Sequence, residues 1–178
     1  MEAPEGVDTL VRRAEGDLWV WLGKAWIVVP TNIGWGRVPP KDDAYARVGP
    51  NPMKAGVALG VSERFPVLPL LYGHFCQLQG ASTPVVYTDE GLILFPTKSL
   101  KVDAPWKSWD QKASLELLRR SINELTLLQL PDDREVALPL VGCGAGKLAK
   151  KAVLDELKVL GDRFVLVSQP VKTEPLPF

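Results

Sequence analysis

The sequence is poor in the residues that bind metals and form disulfides. Its 178 residues include two cysteines, Cys76 and Cys143, and one histidine, His74. No disulfide framework and no four-ligand zinc set can be built from these, and neither a metal nor another cofactor is expected. Excess charge is also missing. Twenty-one basic and 21 acidic residues give a net charge of zero, which argues against broad affinity for nucleic acid or anionic membrane and leaves room only for a local basic rim. No run of 18 apolar residues occurs, so no membrane-spanning helix is expected. Met1 to Gly6 lack the basic and apolar regions of a secretory signal, and a soluble protein in a reducing, cytoplasmic setting is the expectation.

What the chain has in quantity is apolar surface and proline. At 178 residues and 46% hydrophobic, it can bury one good core and falls short of two, so a single domain over residues 1–178 is expected. Its 16 prolines exceed the usual share of about 5% and point to stiffened loops. Residues 37–52 carry proline, glycine and charge without a period and are too long for a simple connection, which reads as a functional loop. Residues 170–178 read as an extended tail.

Turn residues and apolar spacing predict strands at Thr9 to Arg13, Leu18 to Leu22 and Trp26 to Pro30. A helix follows from about Met53 to Phe65, stopped by Pro66 and Pro69, and a second covers Leu70 to Leu78. Pro84 to Thr88 and Leu92 to Pro96 flank Asp89-Glu90-Gly91 as a hairpin. A helix capped by Asp110 or Ser114 runs to about Gln129, with Leu115, Leu118, Ile122, Leu125 and Leu128 on one face. Val136 to Val141 is a continuous apolar run, as in a strand covered on both faces. Beyond it come a helix from Ala149 to Leu160 with Gly161 as its C-cap, and a last strand at Phe164 to Val167.

Between that buried strand and the helix after it stands Gly142-Cys143-Gly144-Ala145-Gly146-Lys147. Open α/β sheets bind ligands at the carboxyl ends of their inner strands. Alternate glycines leave backbone N–H groups unshielded and a helix start adds a positive dipole end, so the loop suits a phosphate or diphosphate. Lys147, Lys150 and Lys151 gather where cations oppose the helix dipole by about 0.3–1 kcal/mol each, which an anion would relieve. The plain alternative is a packing turn beside three solvated lysines. A P-loop is excluded because Val141 and Leu148 stand where glycine and Ser or Thr are needed. A dinucleotide fingerprint is excluded because only one helix and one strand follow. A nucleophile elbow would put its nucleophile at Gly144.

Ala55, Gly56, Ala58 and Gly60 allow a similar close approach at the start of an earlier helix, where tight packing on the sheet is the alternative. His74, beside Tyr72 and Phe75, reads as an ordinary helix residue rather than a catalyst. Trp106 and Trp109 read as seals of a core edge rather than as cover for a base.

Taken in order, these pieces resemble the macrodomain family, whose members bind ADP-ribose and in some cases remove it from modified macromolecules. Gly16-Asp17-Leu18 resembles the turn whose aspartate reads the adenine amino group. Fifteen positions on, Ile27-Val28-Val29-Pro30-Thr31-Asn32 resembles the strand whose asparagine holds the distal ribose. Ala55-Gly56-Val57-Ala58 and Leu138 to Gly146 resemble the two phosphate loops. The resemblance spans about Asp8 to Val167 and is nearest the branch of terminal ADP-ribose glycohydrolases and the antitoxin domains of DNA ADP-ribosylation systems. It implies a three-layer α/β/α fold with a mixed central sheet. It also implies a ligand site formed by Asp17, Leu18, Asn32, Ala55, Gly56, Val57, Gly142, Cys143, Gly144, Ala145, Gly146 and Lys147.

The implied partner is ADP-ribose or an ADP-ribosylated macromolecule. Catalysis is a second reading, because the catalytic lysine and aspartate of that branch find no match where the resemblance puts them: Val57 to Phe65 has no lysine and the second loop has Gly146. Asn32, Lys54 and the loop acids Asp42 and Asp43 are the remaining candidates. A third reading is a nucleic-acid-binding or scaffolding protein with a vestigial pocket, using Trp35, Trp106, Trp109 and nearby lysines as its face.

Overall fold

A computed structural model describes residues 11–36 and 49–169. Most of the loop 37–52, including Asp42 and Asp43, and the tail 170–178 therefore lie outside the described residues. Among the described residues there are six strands: β1 (Arg12–Glu15), β2 (Ala25–Asn32), β3 (Val85–Tyr87), β4 (Leu92–Lys98), β5 (Glu135–Leu138) and β6 (Phe164–Ser168). They form one sheet in the order β1-β6-β5-β2-β4-β3. All neighbours are parallel except β3 and β4, which make the hairpin. The sheet is therefore mixed, and among the described residues its helices are α1 (Gly56–Arg64), α2 (Leu68–Gln79), α3 (Leu115–Leu127) and α4 (Lys150–Leu157).

The two central strands are unbroken apolar runs from Ala25 to Pro30 and from Leu92 to Pro96, as expected where both sheet faces are covered. Ala25, Ile27 and Val29 of β2 join Leu92 and Leu94 of β4 in one layer under α1 and α2, through Ala58, Val61, Leu68 and Tyr72. The alternate residues Trp26, Val28, Ile93 and Phe95 join Leu118, Ile122 and Leu125 of α3 and Val153 and Leu157 of α4 in the other. This is a three-layer α/β/α domain, with each large side chain removed from water contributing roughly 1.5–3 kcal/mol. From β2 the chain crosses by α1 and α2 toward β3 and β4. It then returns by α3 to β5 on the other side of β2. The loops leaving β2, β4 and β5 thus converge at a topological switch point, where such sheets open a crevice.

Several local expectations are corrected. Leu18 to Leu22 is not a strand: Leu18–Trp21 is a 3-10 turn whose N-cap, Asp17, accepts from the Trp19 N–H at 2.9 Å. An aspartate in position to cap outweighs the strand propensity of the Leu-Trp-Val-Trp run. The opening strand covers Arg12–Glu15, and Thr9 and Leu10 of the expected one lie outside the described residues. Pro69 does not stop a helix but sits in the first turn of α2, where its missing N–H costs nothing. Pro105–Asp110, which carries Trp106 and Trp109, is a 3-10 turn. Ser114, rather than Asp110, caps α3, accepting from Leu117 N–H. The last helix ends on Lys158 as its C-cap, not on Gly161.

Candidate functional site

A cleft of about 220 Å³ opens at the carboxyl ends of β2, β4 and β5. Asn32, Ala55, Gly56, Val57, Gly142, Gly144, Ala145 and Gly146 all line it. Of the other expected ligand residues, Asp17 and Leu18 follow β1 and do not line it, and the turn Leu18–Trp21 packs on β2 and β5. Leu18 is core, only 6% exposed. Cys143 and Lys147 are also absent from the lining. Cys143 packs against the α3 and α4 layer, and burial raises its thiol pKa against the pull of Lys150. Lys147 is exposed and takes a positive φ of 59° to turn the loop.

The first wall is the start of α1. Ala55 caps it in extended backbone with no side-chain bond, and Gly56 turns in with φ +57°. Leu59 N–H is the first to bond back, to Ala55 O, which leaves the N–H groups of the first turn to face the cleft or water. A Cβ on Gly56 would meet nothing within 4 Å, so the backbone there is bare and approachable.

The second wall folds on itself. Lys147 N–H donates to Gly144 O, Leu148 N–H to Gly142 O and Ala113 N–H to Gly146 O, at 3.1, 2.9 and 2.9 Å. Its three glycines have different tasks. A Cβ on Gly146 would lie 2.6 Å from Gly142 O, and one on Gly142, itself at φ +76°, 2.9 Å from Leu148. Gly144 has open space around it and no positive φ. Gly142 and Gly146 are thus needed by the loop's own packing, and Gly144 is bare toward the cleft. Gly146→Ala is expected to lower stability by roughly 1–3 kcal/mol through overpacking, measurable as a lower Tm, whereas Gly144→Ala should leave Tm within a degree or two of the parent.

Between the walls, Asn32 is buried and committed. Its Oδ1 accepts from Gly34 N–H at 2.9 Å and from Asn51 Nδ2 at 3.1 Å, and its own Nδ2 donates to Pro52 O at 3.0 Å. Both lone pairs of the amide oxygen are used, and among the described residues a single N–H is left for a ligand. Asn32 can therefore donate to a ligand but is not a base.

Residues that the expected ligand set did not include complete the lining. Lys98, the register partner of Asn32 across β2 and β4, lines the cleft with Thr97 and Trp109. Its ammonium donates to the Trp109 carbonyl at 2.6 Å. Burial lowers the Lys98 pKa, and the nearby Asp110 only partly offsets it. The signal was present in the sequence, since Thr97 and Lys98 end a strand that is apolar from Leu92 to Pro96, but the lysine's partner is fixed by a 3-10 turn that no periodicity announces. Trp109 is a wall of the cleft rather than only a core seal. A second groove of about 810 Å³ shares Pro52, Lys54 and Trp109 with the cleft and continues past Trp106 and Lys107. Among the described residues no group of His, Cys, Asp and Glu could hold a metal ion, and no helix is long and apolar enough to cross a membrane.

No protein-family model matches the sequence, and no curated protein does. Solved structures match it by shape. The macrodomain of Mycobacterium tuberculosis DarG superposes with a TM-score of 0.64 at 20% identity, over 90% of this chain and 98% of that one. The macrodomain of Thermus aquaticus DarG does so with a TM-score of 0.60 at 22% identity, over 90% and 99%. Thermosipho africanus DarTG in complex with ADP-ribose gives 0.61 at 17% identity, over 94% of this chain and 44% of that one. The fold of this chain is that of a macrodomain.

Proposed function

We propose that the cleft binds ADP-ribose, free or as the ADP-ribosyl group of a modified macromolecule. The observation that carries this reading is the pairing of two bare backbone segments, Gly56-Val57 and Gly144-Ala145, across one cleft that ends at Asn32. Two sets of amides facing a common space suit a diphosphate, which offers oxygens to both walls. That a structure of the same fold, Thermosipho africanus DarTG, is in complex with ADP-ribose supports the choice. Asn32 would donate its one remaining N–H to a hydroxyl of the distal ribose. Asp17, with one carboxylate oxygen taken by Trp19 N–H, keeps the other for the adenine amino group at the β1 end. A cytoplasmic setting agrees with free Cys76 and Cys143.

ADP-ribose should raise Tm by preferential binding to the folded state, and more than ADP does at equal concentration. No shift at about a millimolar would sink the reading. Base choice gives a further check. Losing a charged hydrogen bond at Asp17 is worth roughly 1.5–3 kcal/mol, so the hypoxanthine analogue of ADP-ribose should bind at least several-fold more weakly. Equal affinities, or a preference kept by Asp17→Ala, would put the base elsewhere.

A second reading, removal of ADP-ribose, is favoured by Lys98. A half-buried amine with a lowered pKa, beside the residue proposed to hold the distal ribose, is of the kind that activates water or attacks an anomeric carbon.

A further inference from the structure

Asn51 enters neither the cleft lining nor any phosphate-loop pattern, yet its side chain makes three hydrogen bonds beside the site. It is 2% exposed. Its Nδ2 donates to Asn32 O at 3.0 Å, to Asn32 Oδ1 at 3.1 Å and to Gly34 O at 2.8 Å. Its backbone N–H donates to Pro69 O at 2.7 Å, and its own carbonyl accepts from Met53 N–H at 2.9 Å. Among the described residues the side-chain oxygen has no hydrogen-bond partner. Buried amide oxygens are seldom left so, and here the orphan is tolerated by a residue whose donors face three acceptors on the exit of β2. With nitrogen and oxygen exchanged, an oxygen would face those three oxygens, so the amide orientation is fixed.

The same contacts fix Asn32. Its Oδ1 is held from two sides, by Gly34 N–H and Asn51 Nδ2, and its Nδ2 is tied to Pro52 O, two residues before Lys54 and the wall at Ala55 and Gly56. Only rotation of the whole Asn32 side chain could misplace its remaining N–H, and Asn51 is the side chain that blocks it. We propose that Asn51 is a positioning residue: it aims the one free N–H of Asn32 at the sugar on the distal phosphate and so sets the preference for ADP-ribose over ADP. This rests on the reading of the cleft as an ADP-ribose site.

The test is calorimetry with ADP and ADP-ribose on the parent, Asn51→Ala, Asn32→Ala and the double variant. ADP carries the adenine and both phosphates and lacks the distal ribose, so the ratio of the two dissociation constants isolates that sugar. Asn51→Ala is expected to cut the ratio roughly 3- to 10-fold, about the worth of one hydrogen bond. Adding it to Asn32→Ala should change the ratio no further, because both act through one N–H. An equal loss of both ligands, an unchanged ratio, or additive effects in the double variant would overturn the positioning role. If Asn51→Ala does not fold, Asn51→Ser, which keeps one donor, replaces it, and failure of both to fold makes the role purely structural. A folded parent that binds neither ligand contradicts the ADP-ribose reading itself, and the positioning role falls with it.

Discussion

Gly144→Val is expected to fold as the parent does and to lose ADP-ribose affinity by about two orders of magnitude. The substitution is structurally mild. Gly144 has no positive φ, and a Cβ there meets no atom within 4 Å, so the backbone is unstrained and the side chain starts in open space. That open space is where the diphosphate should lie against bare N–H groups. A branched side chain would hold the phosphates off, and losing two charge-assisted hydrogen bonds of roughly 1.5–3 kcal/mol each accounts for about a 10²-fold loss at the low end. Gly142 and Gly146 make poor tests, since side chains at either collide with the loop itself. Near-identical melting curves with the affinity gone is the expected pattern. A folded Gly144→Val protein that binds as the parent does would remove the second loop from the site.

Lys98→Met is expected to separate binding from turnover. The methionine keeps an apolar stem of similar length and removes the amine that donates to the Trp109 carbonyl, so ADP-ribose affinity should change by no more than a few-fold. Any release of ADP-ribose from mono-ADP-ribosylated protein or DNA should fall about 10²- to 10⁴-fold, the usual worth of one acid–base group. The pH dependence has a definite sign. A lysine serves as base or nucleophile only when uncharged, and burial lowers the Lys98 pKa. Turnover should therefore rise with pH and level off below the ordinary lysine range. Release that is unaffected by Lys98→Met, or that falls as pH rises, would leave the amine with a binding role alone.

The layers were legible because their signal is composition. Ala25 to Val29 and Leu92 to Phe95 are apolar without a break and send alternate residues into two cores, and a strand buried on both faces reads in that way. Local overrides were not legible. Leu18 to Trp21 has the residues of a strand, but Asp17 one step earlier caps a 3-10 turn instead. Pro69 reads as a stop, yet proline fits a first turn as well as it ends a helix.

In the site, glycine revealed both loops without revealing the differences within them. Gly144 and Gly146 are two residues apart and alike in sequence, and only the surrounding atoms distinguish open space from a 2.6 Å overlap with Gly142 O. Asn51 lies outside any motif, and Lys98, though it ends the Phe95-Pro96-Thr97-Lys98 strand exit, carries no role that the motif predicts. Their roles depend on partners across strands and turns, Asn32 and Gly34 for one and Trp109 for the other, which sequence spacing does not encode.

Titrating the protein with ADP-ribose in a calorimeter, with Gly144→Val alongside, tests the central claim most directly. One ADP-ribose per chain, bound in the micromolar range at about −8 kcal/mol and lost in Gly144→Val, is the result predicted. No binding by the folded parent at about millimolar ADP-ribose, or equal binding by both proteins, would contradict it.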